Sequence, residues 1–167
     1  MEKWKKIAEM KEARKNASAC SLTTDTLYVF GGTSNSYQTL SSIEQYSIAL
    51  NRWQLLKVSL PRALCFLTSF KLSSTQILIL GGSMRESLPS KQVRQPNAKS
   101  FLSNQVFLFD VLEPRFTRVP NMKRGFISLY PAFYDGVENQ IILVNEDSIE
   151  NEPECLRYNL DQIGYTG

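Results

Sequence analysis

The chain has 167 residues, a net charge of +3 and no histidine. The lack of histidine excludes serine–histidine and cysteine–histidine catalysis and histidine-ligated zinc or iron. A hydrophobic fraction of 43% excludes a disordered chain, and the charge is too small for a dedicated nucleic-acid binder. The length suits one ordinary globular domain.

The three cysteines, Cys20, Cys65 and Cys155, are far apart, and no two have the spacing of a zinc site. An odd number of cysteines, with a charged N-terminal stretch in place of a secretory signal, favours a reducing compartment. The longest apolar runs are too short to span a membrane. We therefore expect a cytoplasmic protein with no metal, no cofactor and no membrane partner.

Short β-strands are predicted along most of the chain. Residues 1–16 are expected to hold a strand around Trp4 and a linker, with a short amphipathic helix as the alternative. Residues 25–30, 76–80 and 139–144 then form apolar runs bounded by turn residues. Because apolar and polar residues do not alternate in these runs, the pattern predicts strands buried on both faces.

Aromatic residues recur along the sequence at Trp4, Trp53, Phe116 and Tyr165, with spacings of 49, 63 and 49. A second aromatic stands seven residues before each of the last three, at Tyr46, Phe109 and Tyr158. Each copy also brings an arginine before a new strand. The recurrence predicts repeats at 17–62, 63–124 and 125–167, the second containing a long basic loop at 83–102.

Each predicted repeat contains four short strands, and one such unit cannot bury both faces alone. Copies are therefore expected to pack face to face, and chance aromatics in a β-sandwich are the alternative. The pattern resembles the kelch repeat of β-propellers. The residues that carry the resemblance are the double glycines Gly31-Gly32 and Gly81-Gly82 and the aromatic pairs Tyr46 with Trp53, Phe109 with Phe116, and Tyr158 with Tyr165.

The resemblance implies an all-β fold, a kelch-type propeller segment of three four-stranded antiparallel blades with the ring incomplete in one chain. The third copy departs from the pattern, since Asn145-Glu146 replaces the double glycine and most of its last strand is missing. Three explanations stay open. The chain is a fragment of a longer propeller, an open array with exposed edges, or half of a swapped homodimer in which another chain completes the ring.

The resemblance also implies a face that binds partner peptides, where loops and repeat junctions meet. Basic residues are predicted to gather there, at Arg14, Arg62, Arg124, Arg85, Lys91, Arg94 and Lys99. Arginines bind carboxylate and phosphate through paired N–H donors, so an acidic or phosphorylated peptide is the expected partner. The alternative is that the arginines are repeat residues bonded to loop carbonyls, beside a disordered loop.

The predicted function is a non-catalytic protein–protein interaction module, either a scaffold or the substrate-recognition part of a ubiquitin ligase. A propeller-based enzyme and an actin- or cytoskeleton-binding kelch protein are the alternatives. An enzyme would place several acids or bases at the strand ends near the central channel. This chain places mostly apolar residues there, which favours the interaction module.

Overall fold

The computed structural model describes residues 4–85, 100–125, 127, 132–145 and 154–163. Its regular structure is nearly all β, in three antiparallel sheets that follow one another along the chain. This confirms the predicted fold class of a kelch-type propeller segment, and the ring is not closed. Within the described ranges, no helix has the length and apolar character needed to cross a membrane.

The first sheet consists of β1 (Ser18–Ser21), β2 (Thr26–Phe30), β3 (Ile43–Ser47) and β4 (Arg52–Leu55), in that order. The second sheet consists of β5 (Cys65–Lys71), β6 (Gln76–Arg85), β8 (Val106–Asp110) and β9 (Arg115–Val119), with β7 (Ser100–Leu102) paired to the end of β6. The third sheet consists of β10 (Ala132–Asp135), β11 (Gln140–Asn145) and β12 (Glu154–Asn159), followed by a 3-10 helix at Leu160–Ile163.

The sheets are stacked through apolar faces. Tyr28 and Phe30 of the first sheet pack against Ile77 and Ile79 of the second. The residues between, such as Leu78, point the other way and pack against the third sheet. Side chains alternate between the two faces of a strand. A central strand of a sheet that is packed between two other sheets must therefore be apolar at every position. The prediction of a strand buried on both faces is confirmed at residues 77–80.

The aromatic pairs occupy equivalent cross-strand positions. Tyr46 lies opposite Trp53 with ring centroids 4.8 Å apart, and Phe109 lies opposite Phe116 at 4.9 Å. Tyr158 is on β12, whereas its predicted partner Tyr165 lies outside the described residues. The equal register of the first two pairs is the structural basis of the repeat.

The double glycines occupy equivalent places in the first two sheets: Gly31-Gly32 follow the end of β2, as the sequence indicated, whereas Gly81-Gly82 lie within β6, which continues to Arg85. Gly31 and Gly32 both have positive φ, at 58° and 100°, and Gly81 and Gly82 behave likewise. A Cβ on Gly31 would lie 2.3 Å from the Leu64 carbonyl oxygen. Glycine is therefore required there both for the backbone conformation and for the close approach of the next linker. Asn145, which takes this place in the third sheet, lies opposite Glu154 at the end of β11.

In the first two sheets, the linker that enters the sheet packs against the cluster that contains its aromatic pair. Leu56 and Val58 pack in the cluster that contains Phe116, and Ala8 and Met10 pack against Trp53. Residues 4–14 form neither the predicted strand nor the alternative helix. The backbone of this segment forms hydrogen bonds with side chains of the first sheet and not with a strand edge. For example, the Trp53 indole N–H donates to the Ala8 carbonyl at 3.0 Å.

The loop predicted at 83–102 is partly strand. Residues 83–85 extend β6 and pair with β7, with Met84 opposite Phe101, and the Ser103 N–H closes the pairing at the Gly82 carbonyl. A polar segment can form a β-strand when its backbone N–H and C=O groups form hydrogen bonds with a neighbouring strand. Amino-acid composition alone does not show whether such a strand is present. The residues between 85 and 100 lie outside the described ranges.

The outer face of the third sheet carries apolar residues at the positions that are covered in the other two. Ile142 occupies the position of Tyr28 and Leu78, and Phe133, opposite it on β10, is 59% exposed. In the second sheet the equivalent residues are packed against a neighbouring sheet.

Candidate functional site

The linkers between sheets meet the ends of the central strands at one end of the stack, which we call the glycine end. It contains Gly31-Gly32, Gly81-Gly82 and the linkers at 12–17, 56–64 and 120–125. The Leu64 carbonyl accepts from the Gly32 N–H at 2.8 Å, and the Met122 N–H donates to the Asn104 carbonyl at 2.8 Å. These backbone bonds hold each linker in a fixed position over the adjoining sheet.

Arg14 lies at this end and is buried in the first sheet. Its side chain is 1% exposed, and its Nη2 donates to Glu44 Oε1 at 2.8 Å, while Glu44 itself is fully buried. Arg14 Nη1 also donates to the carbonyls of Gly31 and Ser42, at 2.8 and 3.1 Å. For Arg14 the structure agrees with the alternative prediction, a repeat arginine bonded to loop carbonyls.

The Glu44 carboxylate also holds the N-terminal segment. It accepts the backbone N–H of Lys11 at 2.7 Å and that of Glu12 at 3.0 Å. The Glu12 carboxylate in turn receives Arg14 and the Ser42 hydroxyl. A buried carboxylate is stable only when donors surround it, and these residues provide them.

Arg62 and Arg124 occupy the corresponding linkers, and both are exposed. Arg62 Nη1 lies 3.7 Å from the Met84 sulfur. Arg85 is the last residue of β6, opposite Ser100. The other predicted basic residues, Lys91, Arg94 and Lys99, lie outside the described residues.

A cleft of about 310 Å³ opens beside Arg62, between the linker and the second sheet. Its lining residues come from the linker and from strands β8 and β9 with the residues before them: Pro61, Arg62, Gln105, Phe107, Phe116 and Arg118. The structure therefore brings Arg62 together with Arg118, which lies at the same end of β9. Arg118 is exposed, and its Nη2 is 3.3 Å from Asn121 Oδ1.

Sequence reasoning missed Glu44, Gln105 and Arg118 as members of this end. A signal was present, because Glu44 is two residues before Tyr46 and Phe107 is two residues before Phe109. Aligning the repeats on these aromatics shows that an acid in one copy is replaced by an apolar residue in the next. Whether this replacement affects a binding site depends on which arginine lies nearby, and only the folded structure shows that.

The ionisable groups with shifted pKa lie away from this end. Burial raises the pKa of the Cys20 thiol above its usual value and does the same for the Tyr28 and Tyr158 hydroxyls. Cys20 and Cys65 are both buried with free thiols. Across the described ranges, no three histidine, cysteine, aspartate or glutamate residues are grouped so as to hold a metal ion.

These features define the class of the fold, a stack of kelch-type sheets. Residues 13–57 match the family model described as the Kelch motif, which confirms the resemblance for the first repeat. The matched range covers the first sheet and the linker that carries Arg14.

Two relatives from Limulus polyphemus are similar over most of the chain. Beta-scruin is 27% identical over 130 residues, which is 77% of this chain and 13% of that protein. Alpha-scruin is 25% identical over 119 residues, which is 71% of this chain and 12% of that protein. The chain thus spans about an eighth of the length of these relatives.

Proposed function

We propose that this chain is a non-catalytic, cytoplasmic protein-interaction module that binds partner proteins through its glycine end. The observation that carries the proposal is the exposure of Arg62, Arg124 and Arg118 along linkers and strands that are fixed by backbone hydrogen bonds. Rigid sheets that present side chains from their connecting segments are a common basis for recognition. The kelch match and the similarity to the scruins support the same class of function.

The partner segment that fits this end is acidic or phosphorylated. Arginine binds both groups through paired N–H donors, and its planar guanidinium is pre-organised, so less side-chain freedom is lost for each hydrogen bond that forms. Arg14 is left out of the proposed surface, since its donors are used inside the first sheet. Arg85, Lys91, Arg94 and Lys99 stay predictions.

The experiment reverses charge at Arg62 and Arg124 together, with Arg62→Glu and Arg124→Glu, and quantifies partners recovered by affinity purification. The control is Arg52→Glu with Arg115→Glu, which changes the same charge at the opposite end of the sheets. We expect the first pair to lower partner recovery about tenfold or more and the control pair to leave it unchanged. Unchanged recovery of every partner with the first pair would overturn the proposal.

Phosphatase treatment of the partners separates the two chemistries. Loss of binding assigns a phosphorylated segment, and retention assigns an acidic one. The pairing of two chains into a closed ring stays a prediction, which light scattering of the purified chain tests.

A further inference from the structure

The first two sheets differ at the glycine end in the side chains that the third and fourth main strands place there, although the register of these strands is equivalent. Glu44 lies opposite Leu55 in the first sheet, and Phe107 lies opposite Arg118 in the second. Gln105 takes the position of Ser42, because both carbonyls accept the N–H of the first glycine, Gly81 or Gly31. The Glu44 carboxylate of the first sheet therefore has no counterpart in the second.

The cleft lies where that carboxylate would be. Arg62 and Arg118 line it from two sides. Among the residues that the structure describes, no carboxylate lies within 4.0 Å of either guanidinium. Their contacts are the Met84 sulfur and the Asn121 side-chain oxygen, both at long distance. Two exposed guanidinium groups that line one cleft, with no carboxylate partner among the described residues, favour an anion in it.

Gln105 adds a second requirement for the ligand. Its Oε1 atom is buried and has no hydrogen-bond partner. A buried acceptor that lacks a donor is costly, so the Gln105 side chain would gain by turning Oε1 into the cleft to accept an N–H group from a ligand. A free anion cannot offer this group. Phe107 and Phe116 form an apolar wall beside these polar atoms, which suits a short methylene chain.

We infer that this cleft binds a glutamate side chain of an extended peptide, with the carboxylate on Arg62 and Arg118 and a peptide N–H on Gln105 Oε1. The first sheet provides the internal precedent, since Glu44 there receives an arginine and the N–H groups of a passing segment. A volume of about 310 Å³ is at the small end of ligand sites and suits one or two residues. The inference rests on the proposed function and names its ligand.

The test uses the full chain and three small probes: N-acetyl-glutamyl-N-methylamide, its glutaminyl analogue and its phosphoseryl analogue. Nitrogen-15 NMR follows the side-chain N–H signals of Arg62, Arg118 and Gln105 during titration. We expect the glutamyl probe to shift all three signals and to bind about tenfold more tightly than the glutaminyl probe. Acetate should bind more weakly than the glutamyl probe, because it offers no N–H group to Gln105.

Variants assign the binding to the cleft. Arg118→Gln and Arg62→Gln should each weaken the glutamyl probe about tenfold. Gln105→Leu should weaken that probe and leave acetate binding unchanged. The control is Arg115→Gln, on the same strand at its opposite end, which should change affinity less than about twofold. Both arginines in the cleft are exposed, so thermal unfolding is expected to confirm that these variants fold.

Equal binding of the glutamyl and glutaminyl probes, or glutamyl binding that survives both arginine variants, would overturn the inference. Tighter binding of the phosphoseryl probe would overturn the choice of carboxylate and assign the cleft to phosphate. These outcomes are separable from the proposed function. If the charge reversals abolish partner binding but the glutamyl probe does not bind, the proposed interaction module is supported and the proposed glutamate site is wrong. If the glutamyl probe binds but no partner depends on Arg62, the proposed glutamate site is supported and the proposed interaction module is wrong.

Discussion

In the first sheet Arg14 is buried against Glu44, whereas in the second sheet Arg62 stays exposed beside Phe107. The order and register of the four main strands, the positions of the aromatic pairs and the positive φ of the glycines are equivalent in both, and the second sheet adds β7 beside the extended end of β6. The replacement of Glu44 by Phe107, two residues before the aromatic of the third strand, accompanies the change from a closed ionic network to an open cleft. The repeats thus preserve their apolar packing while the side chains at the glycine end vary, and only the second sheet leaves this place available to a ligand.

The largest expected effect is a difference in the free energy of unfolding between variants of Arg14 and variants of Arg62. Arg14→Leu leaves the buried Glu44 carboxylate without its guanidinium and should lower the free energy of unfolding by about 3–5 kcal/mol. Arg62→Leu removes an exposed side chain and should cost less than about 0.5 kcal/mol. Urea unfolding measures both. Equal losses of unfolding free energy in the two variants would contradict the conclusion that Arg14 is held in a buried ionic network while Arg62 is not.

A smaller effect concerns how each linker is held on its sheet. Trp53→Phe removes the indole N–H that binds the Ala8 carbonyl, and Phe116, the equivalent residue of the second sheet, has no such group. We expect a loss of about 1–2 kcal/mol. Hydrogen exchange at the Lys11 amide should accelerate roughly fivefold or more, since local opening becomes easier.

The internal control for this variant is the Leu60 amide, which donates to the Ser41 carbonyl in the linker to the second sheet. Its exchange rate should stay the same. Acceleration of both amides alike would indicate global destabilisation and contradict a local role for the indole.

The smallest effect concerns pH at the interface that the two sheets share. Burial raises the pKa of Cys20, and that of Tyr28 in the same cluster, above the usual values of 9.0 and 10.0. Well below pH 9.0 the thiol is protonated in both the folded and the unfolded chain, and its contribution to stability is complete. Above it, the unfolded chain ionises first, so the free energy of unfolding falls until the pH passes the folded pKa.

Urea unfolding between about pH 8 and 10 measures this slope. Cys20→Ala should make the decline shallower without changing the behaviour at the lower pH. A decline of equal steepness in the variant would assign the alkaline loss to other groups, of which Tyr28 is tested by Tyr28→Phe.

The fold was largely predictable because its signals are local. The apolar runs at 25–30 and 76–80 and the aromatic pairs require only the spacing of neighbouring residues. The conformation of residues 4–14 was not predictable in this way, since its partners are Glu44, Asn51 and Trp53, distant in sequence.

The candidate site was predicted only in part. The three junction arginines look alike in sequence, and nothing local shows that Arg14 is buried while Arg62 is exposed. The difference arises from Glu44 and Phe107, each more than 25 positions from its arginine. Arg118 and Gln105 were missed for the same reason, because only strand pairing brings them beside Arg62.

In the first two sheets the preceding linker packs against the cluster that contains the aromatic pair, so each of these sheets depends on a segment that comes before its first strand. In the first copy the linker and the sheet on which it packs lie within residues 4–55, so a unit cut as the predicted repeat at 17–62 would leave this linker behind. A protein engineer who wishes to exchange or duplicate one unit should therefore cut after the fourth strand of a sheet. A cut at the arginine would separate Trp53 from the segment that shields it, and the transplanted sheet would carry an uncovered apolar surface.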